Sequence, residues 1–139
     1  MITKTKFILA FALCVGLFIG CAHLDKGADP LIVRAEQIET VAISAFDSVV
    51  KLDSANRQFW LTNAPAFHSF AEWLRTPVPV GTNTVRRGIA MVQQLNYAKL
   101  DYRQNHSQSN LLISLTMDLQ NALSQAQAWT VIISNPKNH

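Results

Sequence analysis

Cysteine is scarce in this chain, and both copies lie near its beginning. The 139 residues include only Cys14 and Cys21. No cysteine follows them, so residues 22–139 form no disulfide among themselves and packing alone must hold their fold together. That stretch is long enough for one hydrophobic core but not comfortably for two, and we expect one domain.

The residues that most catalytic and metal sites require are also few or badly spaced. The five glycines never cluster into a phosphate-binding loop, and no Gly-x-Ser-x-Gly elbow occurs. No two of the four histidines have the three- or four-residue spacing that places two ligands on one helical face. These are His23, His68, His106 and His139. Glu36 and Glu39 could flank a cation or act as an acid–base pair, although solvated charge on a helix is commoner. We therefore expect no enzymatic activity, no metal and no cofactor.

Charge of either sign is sparse as well. The chain has 12 lysines and arginines against 9 aspartates and glutamates. Without Lys4 and Lys6, ten basic residues remain, so the rest of the chain is nearly neutral. The most basic region contains Arg75, Arg86, Arg87, Lys99 and Arg103. Its members do not share one helical face, which argues against a nucleic-acid partner.

The first 20 residues have the layout of a signal peptide. Lys4 and Lys6 provide a positive start, residues 7–20 carry no charge, and Gly20 precedes Cys21. A membrane-spanning helix needs roughly 17–25 apolar residues, so this shorter run is more typical of a signal-peptide core. We predict a signal peptide at 1–20 and a tether at 21–29.

Residues 17–21, with the sequence Leu-Phe-Ile-Gly-Cys, resemble the lipobox of bacterial lipoproteins. That family usually has leucine where this chain has Phe18, and a small residue where it has Ile19. The resemblance implies that Cys21 receives a diacylglycerol and an acyl chain such as palmitate, which anchor the protein in the cell envelope outside the cytoplasm. Ala22 then favours the periplasmic face of the outer membrane, its inner leaflet, if the source is Gram-negative.

Two alternatives to lipidation remain open from the sequence. The leader could be removed by ordinary signal cleavage, or it could stay as an uncleaved anchor. Because Lys4 and Lys6 would remain on the cytoplasmic side, a retained anchor also leaves the body outside the cytoplasm. All three readings thus predict an extracytoplasmic protein.

Apolar residues at helical spacing predict an all-α body over residues 30–139. Asp29 and Pro30 suit the start of a first helix of about 33 residues. Its apolar stripe comprises Leu31, Ala35, Ile38, Ala42, Ala45, Val49, Leu52, Asn56, Phe59 and Trp60. The alanines in the first half of this stripe would allow a neighbouring helix to approach closely.

Three further helices are predicted, and no strand. A short helix of about 11 residues begins near Pro65, and a Pro-rich linker at 76–83 follows it. A third helix covers about 84–104, and the polar run 104–109 predicts a turn. The third helix carries Val85, Ile89, Val92, Leu95, Leu100 and Tyr102. The fourth carries Leu111, Leu115, Leu119, Ala122, Ala126, Trp129 and Ile133, with Leu112 and Leu123 at its edges. We expect a small antiparallel helical bundle of three long helices plus one short helix.

Aromatic residues gather around the first corner between helices. They are Phe59, Trp60, Phe67, Phe70 and Trp73. They either fill one end of the bundle or form a partly exposed patch that binds a partner, a peptide or the membrane interface.

Two functions of different class follow from the sequence. The first is a lipid-anchored envelope interaction or structural module, which docks an envelope protein or a second copy of itself. The second is a carrier of a small hydrophobic ligand or peptide, with a pocket between the helices near Trp60, Phe67 and Trp73.

Overall fold

The computed structural model describes residues 27–134, so the predicted signal peptide, Cys21 and most of the tether lie outside the described residues. Within 27–134 the chain is mostly helical, with five α-helices and one two-stranded hairpin. The helices are α1 (Pro30–Ala55), α2 (Arg57–Asn63), α3 (Pro65–Arg75), α4 (Arg87–Gln104) and α5 (Ser109–Ser134). The strands are β1 (Pro77–Val80) and β2 (Asn83–Arg86), and a 3₁₀ turn at His106–Gln108 precedes α5. The predicted helical class is confirmed. Among these residues, no helix is long and apolar enough to cross a membrane.

The first predicted helix is divided in two. Asp29 caps α1 as expected, because its Oδ1 accepts a 2.8 Å hydrogen bond from the amide of Leu31. The helix ends at Ala55, since Asn56 leaves the helical conformation at φ −150° and ψ 56°. After this break, α2 turns so that the Trp60 indole N–H donates to the carbonyl of Leu52 at 3.0 Å. The prediction of one continuous helix through this region was wrong.

The predicted linker at 76–83 belongs to a β-hairpin. Strands β1 and β2 pair antiparallel from Pro77 opposite Arg86 to Val80 opposite Asn83. Gly81 takes the positive φ of 60° that the tight turn requires. A two-stranded sheet has only edge strands, so the prolines of β1 remove no interior ladder bond. Because β2 extends to Arg86, α4 begins at Arg87 and not at 84.

Helices α1, α4 and α5 pack against one another, and α3 contacts both α1 and α4. Helix α4 runs antiparallel to α1, because Lys99 pairs with Glu39 while Gly88 lies against Phe46. A Cβ atom at Gly88 would lie 3.1 Å from the Phe46 ring, so glycine permits this close approach.

The buried faces of α1 and α5 are rotated from the predicted stripes. Leu52 and Leu111 were predicted to be apolar face residues, yet they are 36% and 45% exposed. Their neighbours Asp53 and Leu112 are completely buried. The buried face of α5 comprises Leu112, Thr116, Leu119, Ala122, Leu123 and Ala126. In α4, Ile89 and Leu100 are exposed while Lys99 is buried.

Candidate functional site

A groove of about 740 Å³ lies between α3, β1, α4 and α5. Its lining residues are Ser69, Phe70, Trp73, Val78, Arg87, Ala90, Met91, Gln94, Asp118, Asn121, Ala122 and Gln125. The buried alanines, Ala90 and Ala122, form its floor. Their small side chains give the groove its depth.

Two helices supply the long walls of the groove. On α4, Arg87, Met91 and Gln94 recur at steps of four and three residues, which places them on successive turns of one face. Asp118, Asn121 and Gln125 do the same on α5. Each wall is therefore about two helical turns, or roughly 10 Å, long.

The α3 end of the groove is aromatic. Phe70 and Trp73 stack with ring centroids 5.8 Å apart and an interplanar angle of 16°. The Arg87 guanidinium lies 5.1 Å from the centroid of the Trp73 ring, a cation–π contact. The amide of Arg87 donates to the carbonyl of Thr76 at 2.9 Å, which ties the start of α4 to the end of α3.

Apart from the contact of Arg87 with the Trp73 ring, the polar side chains of the groove form no hydrogen bond or ion pair within residues 27–134. Arg87 and Asp118 form no ion pair there. The side chains of Ser69, Gln94, Asn121 and Gln125 form no hydrogen bond in the same part of the chain. The groove thus presents one cation, one anion, three amides and a hydroxyl beside an apolar end.

A second polar cluster connects α1 to α3 and is buried. Asp53 is completely buried, and its Oδ1 lies 2.7 Å from His68 Nδ1. Its Oδ2 accepts a 2.6 Å hydrogen bond from Arg75 Nη1, which also bonds to Glu72. The second guanidinium nitrogen of Arg75 donates to the carbonyl of Val50 at 2.8 Å and to Ser54 Oγ at 2.6 Å.

The ligand atoms of Asp53, His68 and Glu72 lie within 4.8 Å of one another and could in principle hold a metal ion. Arg75, however, already binds both carboxylates and supplies the positive charge there. Burial lowers the pKa of Arg75, but the hydrogen bonds to Asp53 and Glu72 more than offset this and raise it above its ordinary value. The arrangement is a satisfied structural cluster.

The five predicted patch residues divide between the core and the groove. Trp60 and Phe67 are buried and meet edge to face, with centroids 5.2 Å apart. Phe59 packs on Trp60 at 4.8 Å and is half-buried. Phe70 and Trp73 line the groove. Of the three residues predicted to border a ligand pocket, only Trp73 lines the groove, whereas Trp60 and Phe67 belong to the core. Cys21, the predicted lipidation site, is outside the described residues.

The glutamate pair on the first helix binds cations of α4. Glu36 pairs with Arg103 at 2.9 Å, and Glu39 pairs with Lys99. His106, one of the isolated histidines, contacts the Tyr102 ring with centroids 4.8 Å apart. The two ion pairs join α1 to α4.

Two features were not predicted from the sequence, the buried Asp53 cluster and the polar groove, and only the first has a recognisable sequence pattern. Asp53 follows Ala42, Phe46 and Val49 at steps of four, three and four residues, so it lies on their buried face. A charge on such a face needs partners, which Arg75 and His68 provide. The groove amides left no signal, because polar residues at exposed helix positions look alike whether or not a neighbouring element forms a groove.

No protein-family model, curated protein or solved structure matches this chain. The function is therefore inferred from the groove and the leader.

Proposed function

We propose that the protein is a non-enzymatic, lipid-anchored module of the bacterial cell envelope that binds a segment of another envelope protein. In this proposal α1, α4 and α5 form a three-helix bundle, with α2 and α3 across one end. Their mutual contacts support that arrangement. The lipobox-like residues 17–21 support an anchor at Cys21, with residues 21–29 as a lipidated tether outside the cytoplasm. In a Gram-negative source, Ala22 favours the periplasmic face of the outer membrane.

The observation that carries the proposal is the groove with its unpaired charges. Helices α4 and α5 are joined by a short turn, so residues at equal distance from that turn face each other. Asp118 therefore lies opposite Gln94. Arg87 lies at the end of the groove farther from the turn, opposite Gln125. Along the helix axes the two charges are about two turns, or roughly 10 Å, apart, and they also lie on different helices, whose axes are typically about 8–10 Å apart. A partner with an acidic group and a basic group at that separation would pair with both.

The lining of the groove suits a protein segment. Amide side chains both donate and accept hydrogen bonds, as a peptide backbone does. Phe70, Trp73 and Met91 offer an apolar end for one side chain of the partner. Ser69 is the hydroxyl of the groove, and neither a histidine nor a carboxylate is hydrogen-bonded to it among residues 27–134. This favours binding over nucleophilic catalysis.

A small hydrophobic ligand or free peptide is the second candidate, and the groove volume favours it. Ligand sites commonly measure about 300–1,000 Å³ and combine apolar walls with a few polar groups. The volume of about 740 Å³ falls within that range. This alternative requires a ligand that reaches Trp73.

Site-specific photo-crosslinking in the native membrane tests the docking proposal. A photoreactive residue in place of Gln94 should give an adduct with one envelope protein, whereas the same group in place of the exposed Lys51 on α1 should not. Arg87→Glu and Asp118→Lys should each abolish the adduct while the circular dichroism spectrum stays unchanged. Equal adducts from both positions, or adducts that ignore both charge reversals, would contradict the proposal.

Tryptophan fluorescence separates the carrier from the docking module. Saturable quenching by a hydrophobic probe, lost in Trp73→Phe but retained in Trp129→Phe, would favour the carrier.

The lipid anchor is tested separately, by the intact mass of the membrane-extracted protein. We expect residues 21–139 plus diacylglycerol and an acyl chain, and loss of that added mass in Cys21→Ser. An unmodified mass for either the cleaved or the full chain would contradict lipidation.

A further inference from the structure

A second surface combines exposed apolar side chains with unpaired charges. It is a shallow depression where α1 meets the start of α4, and it shares no residue with the groove. Ile43 and Ile89 border it and are 48% and 40% exposed. Asp47 and Arg86 also border it, are exposed, and form no ion pair within residues 27–134. We call these four residues the Ile43–Ile89 face.

The four residues form two rows because α1 and α4 are antiparallel. Gly88 lies against Phe46, so the start of α4 is level with the middle of α1. Ile43 and Ile89 form the row nearer the N-terminus of α1, and Asp47 and Arg86 form the next row. Each row has one member on α1 and the other on the facing segment, where Arg86 is the last residue of β2 and Ile89 lies in the first turn of α4.

We propose that the Ile43–Ile89 face binds a second copy of this chain in a parallel, two-fold symmetric dimer. A two-fold axis parallel to α1, running between α1 and α4, places each Asp47 over the Arg86 of the other copy. The same rotation places Ile43 over Ile89. A two-fold axis at right angles, within the interface plane, would instead place the charges over isoleucines.

Charge complementarity selects a second copy as the occupant. A foreign partner would have to present an anion, a cation and two apolar side chains in the mirrored order, and this chain presents that set itself. A two-fold interface uses one patch twice, so two ion pairs and two apolar contacts form together. In the parallel arrangement both N-termini lie on the same side, so both tethers can reach one membrane.

Sedimentation velocity of the full chain in mild detergent tests the dimer, with variants in which the charge at one of the two positions is reversed. The wild type should sediment as a dimer. Asp47→Arg and Arg86→Asp should each weaken dimerisation by about tenfold or more, because each places two like-charged pairs in the interface. Mixed in equal amounts, the two variants should dimerise with each other, since both pairs then regain opposite charges.

Matched variants separate the interface from general charge and folding effects. Asp101→Arg makes the same charge change at an exposed position of α4 outside the face, and it should dimerise like the wild type. Asp118→Lys alters only the groove, so it should also leave the dimer intact whatever its effect on partner binding. A monomeric wild type, single variants that dimerise as tightly as the wild type, or folded single variants that fail to pair when mixed would overturn the proposal.

Discussion

The Asp53 carboxyl group is completely buried, yet both of its oxygens have bonding partners. His68 lies on one side and Arg75 on the other, at 2.7 and 2.6 Å. Buried charges are tolerated in proteins when they are paired and hydrogen-bonded in this way. The cluster therefore fixes the position of α3, whose Phe70 and Trp73 form the aromatic end of the groove.

Removing the Asp53 carboxyl group should destabilise the fold strongly. Asp53→Ala leaves the His68 ring and the Arg75 guanidinium without their central partner, and we expect a loss of about 3 kcal/mol in the free energy of unfolding. Asp101→Ala, at an exposed site that forms no ion pair among residues 27–134, should change it by less than about 0.5 kcal/mol. Urea unfolding of both variants measures the difference. Equal, small losses would mean that the cluster contributes little.

The role of a residue was predictable where its side chain binds groups close to it in the sequence. Asp29 was expected to cap α1, and it does so, because the capping bond joins its carboxylate to the amide of Leu31, only two residues away. The role of Asp53 was not predicted, since its partners lie 15 and 22 residues away and only the fold brings them close.

At the scale of elements, the orientation of each helix about its own axis decides which leucines are core residues. Adjacent residues of an α-helix point about 100° apart. Leu111 and Leu112 therefore face different surroundings, and only Leu112 is completely buried. A periodic stripe shows that a helix has an apolar side, but the same sequence fits a stripe whose centre is shifted by one residue.

This neighbouring pair offers a matched comparison. Leu112→Ala should lower the free energy of unfolding by about 2–5 kcal/mol, because it removes buried contacts and leaves a cavity. Leu111→Ala, at a position 45% exposed, should cost less than about 1 kcal/mol. Thermal melts of the two variants decide between this orientation and the predicted stripe. A larger loss for Leu111→Ala would support the predicted stripe.

Element boundaries were predicted well where proline or a polar run interrupts a helix. Pro65 opens α3, Pro77 lies two residues after its end, and the polar run gives the turn before α5. The hairpin was not predicted. Two prolines and a glycine excluded a helix there and indicated only an extended or turning linker. The strands can pair because both are sheet edges, where a missing amide donor is harmless.

At the scale of the whole molecule, Asp29 and Tyr102 join the start of α1 to the end of α4. The Tyr102 hydroxyl donates to Asp29 Oδ2 at 2.8 Å while the other oxygen caps α1. The Tyr102 hydrogen bond, followed by that of the Leu31 amide, holds the pKa of Asp29 below its ordinary value of 3.8. The same contact raises the pKa of Tyr102.

The lowered pKa of Asp29 predicts a loss of stability in acid. As the pH falls below about 4, the unfolded carboxyl group takes up a proton before the folded one does, so the stabilisation disappears as the pH falls through the folded pKa. Asp29→Asn keeps the capping oxygen but does not titrate. The stability difference between wild type and this variant should therefore shrink between pH 5 and the folded pKa, measured by urea unfolding at each pH. A difference that does not vary with pH would contradict the coupling.

The sequence by itself determined the helical class, the capped start of α1 and most of the helix boundaries, because each depends on residues close together in the chain. The tertiary structure decided the rest. It selected the buried face of each helix, paired Asp53 with Arg75 and Glu39 with Lys99, and formed the groove from α3, β1, α4 and α5. These features depend on contacts between distant segments. Local periodicity says which residues a helix can bury, but the neighbouring helices determine which of them it does bury.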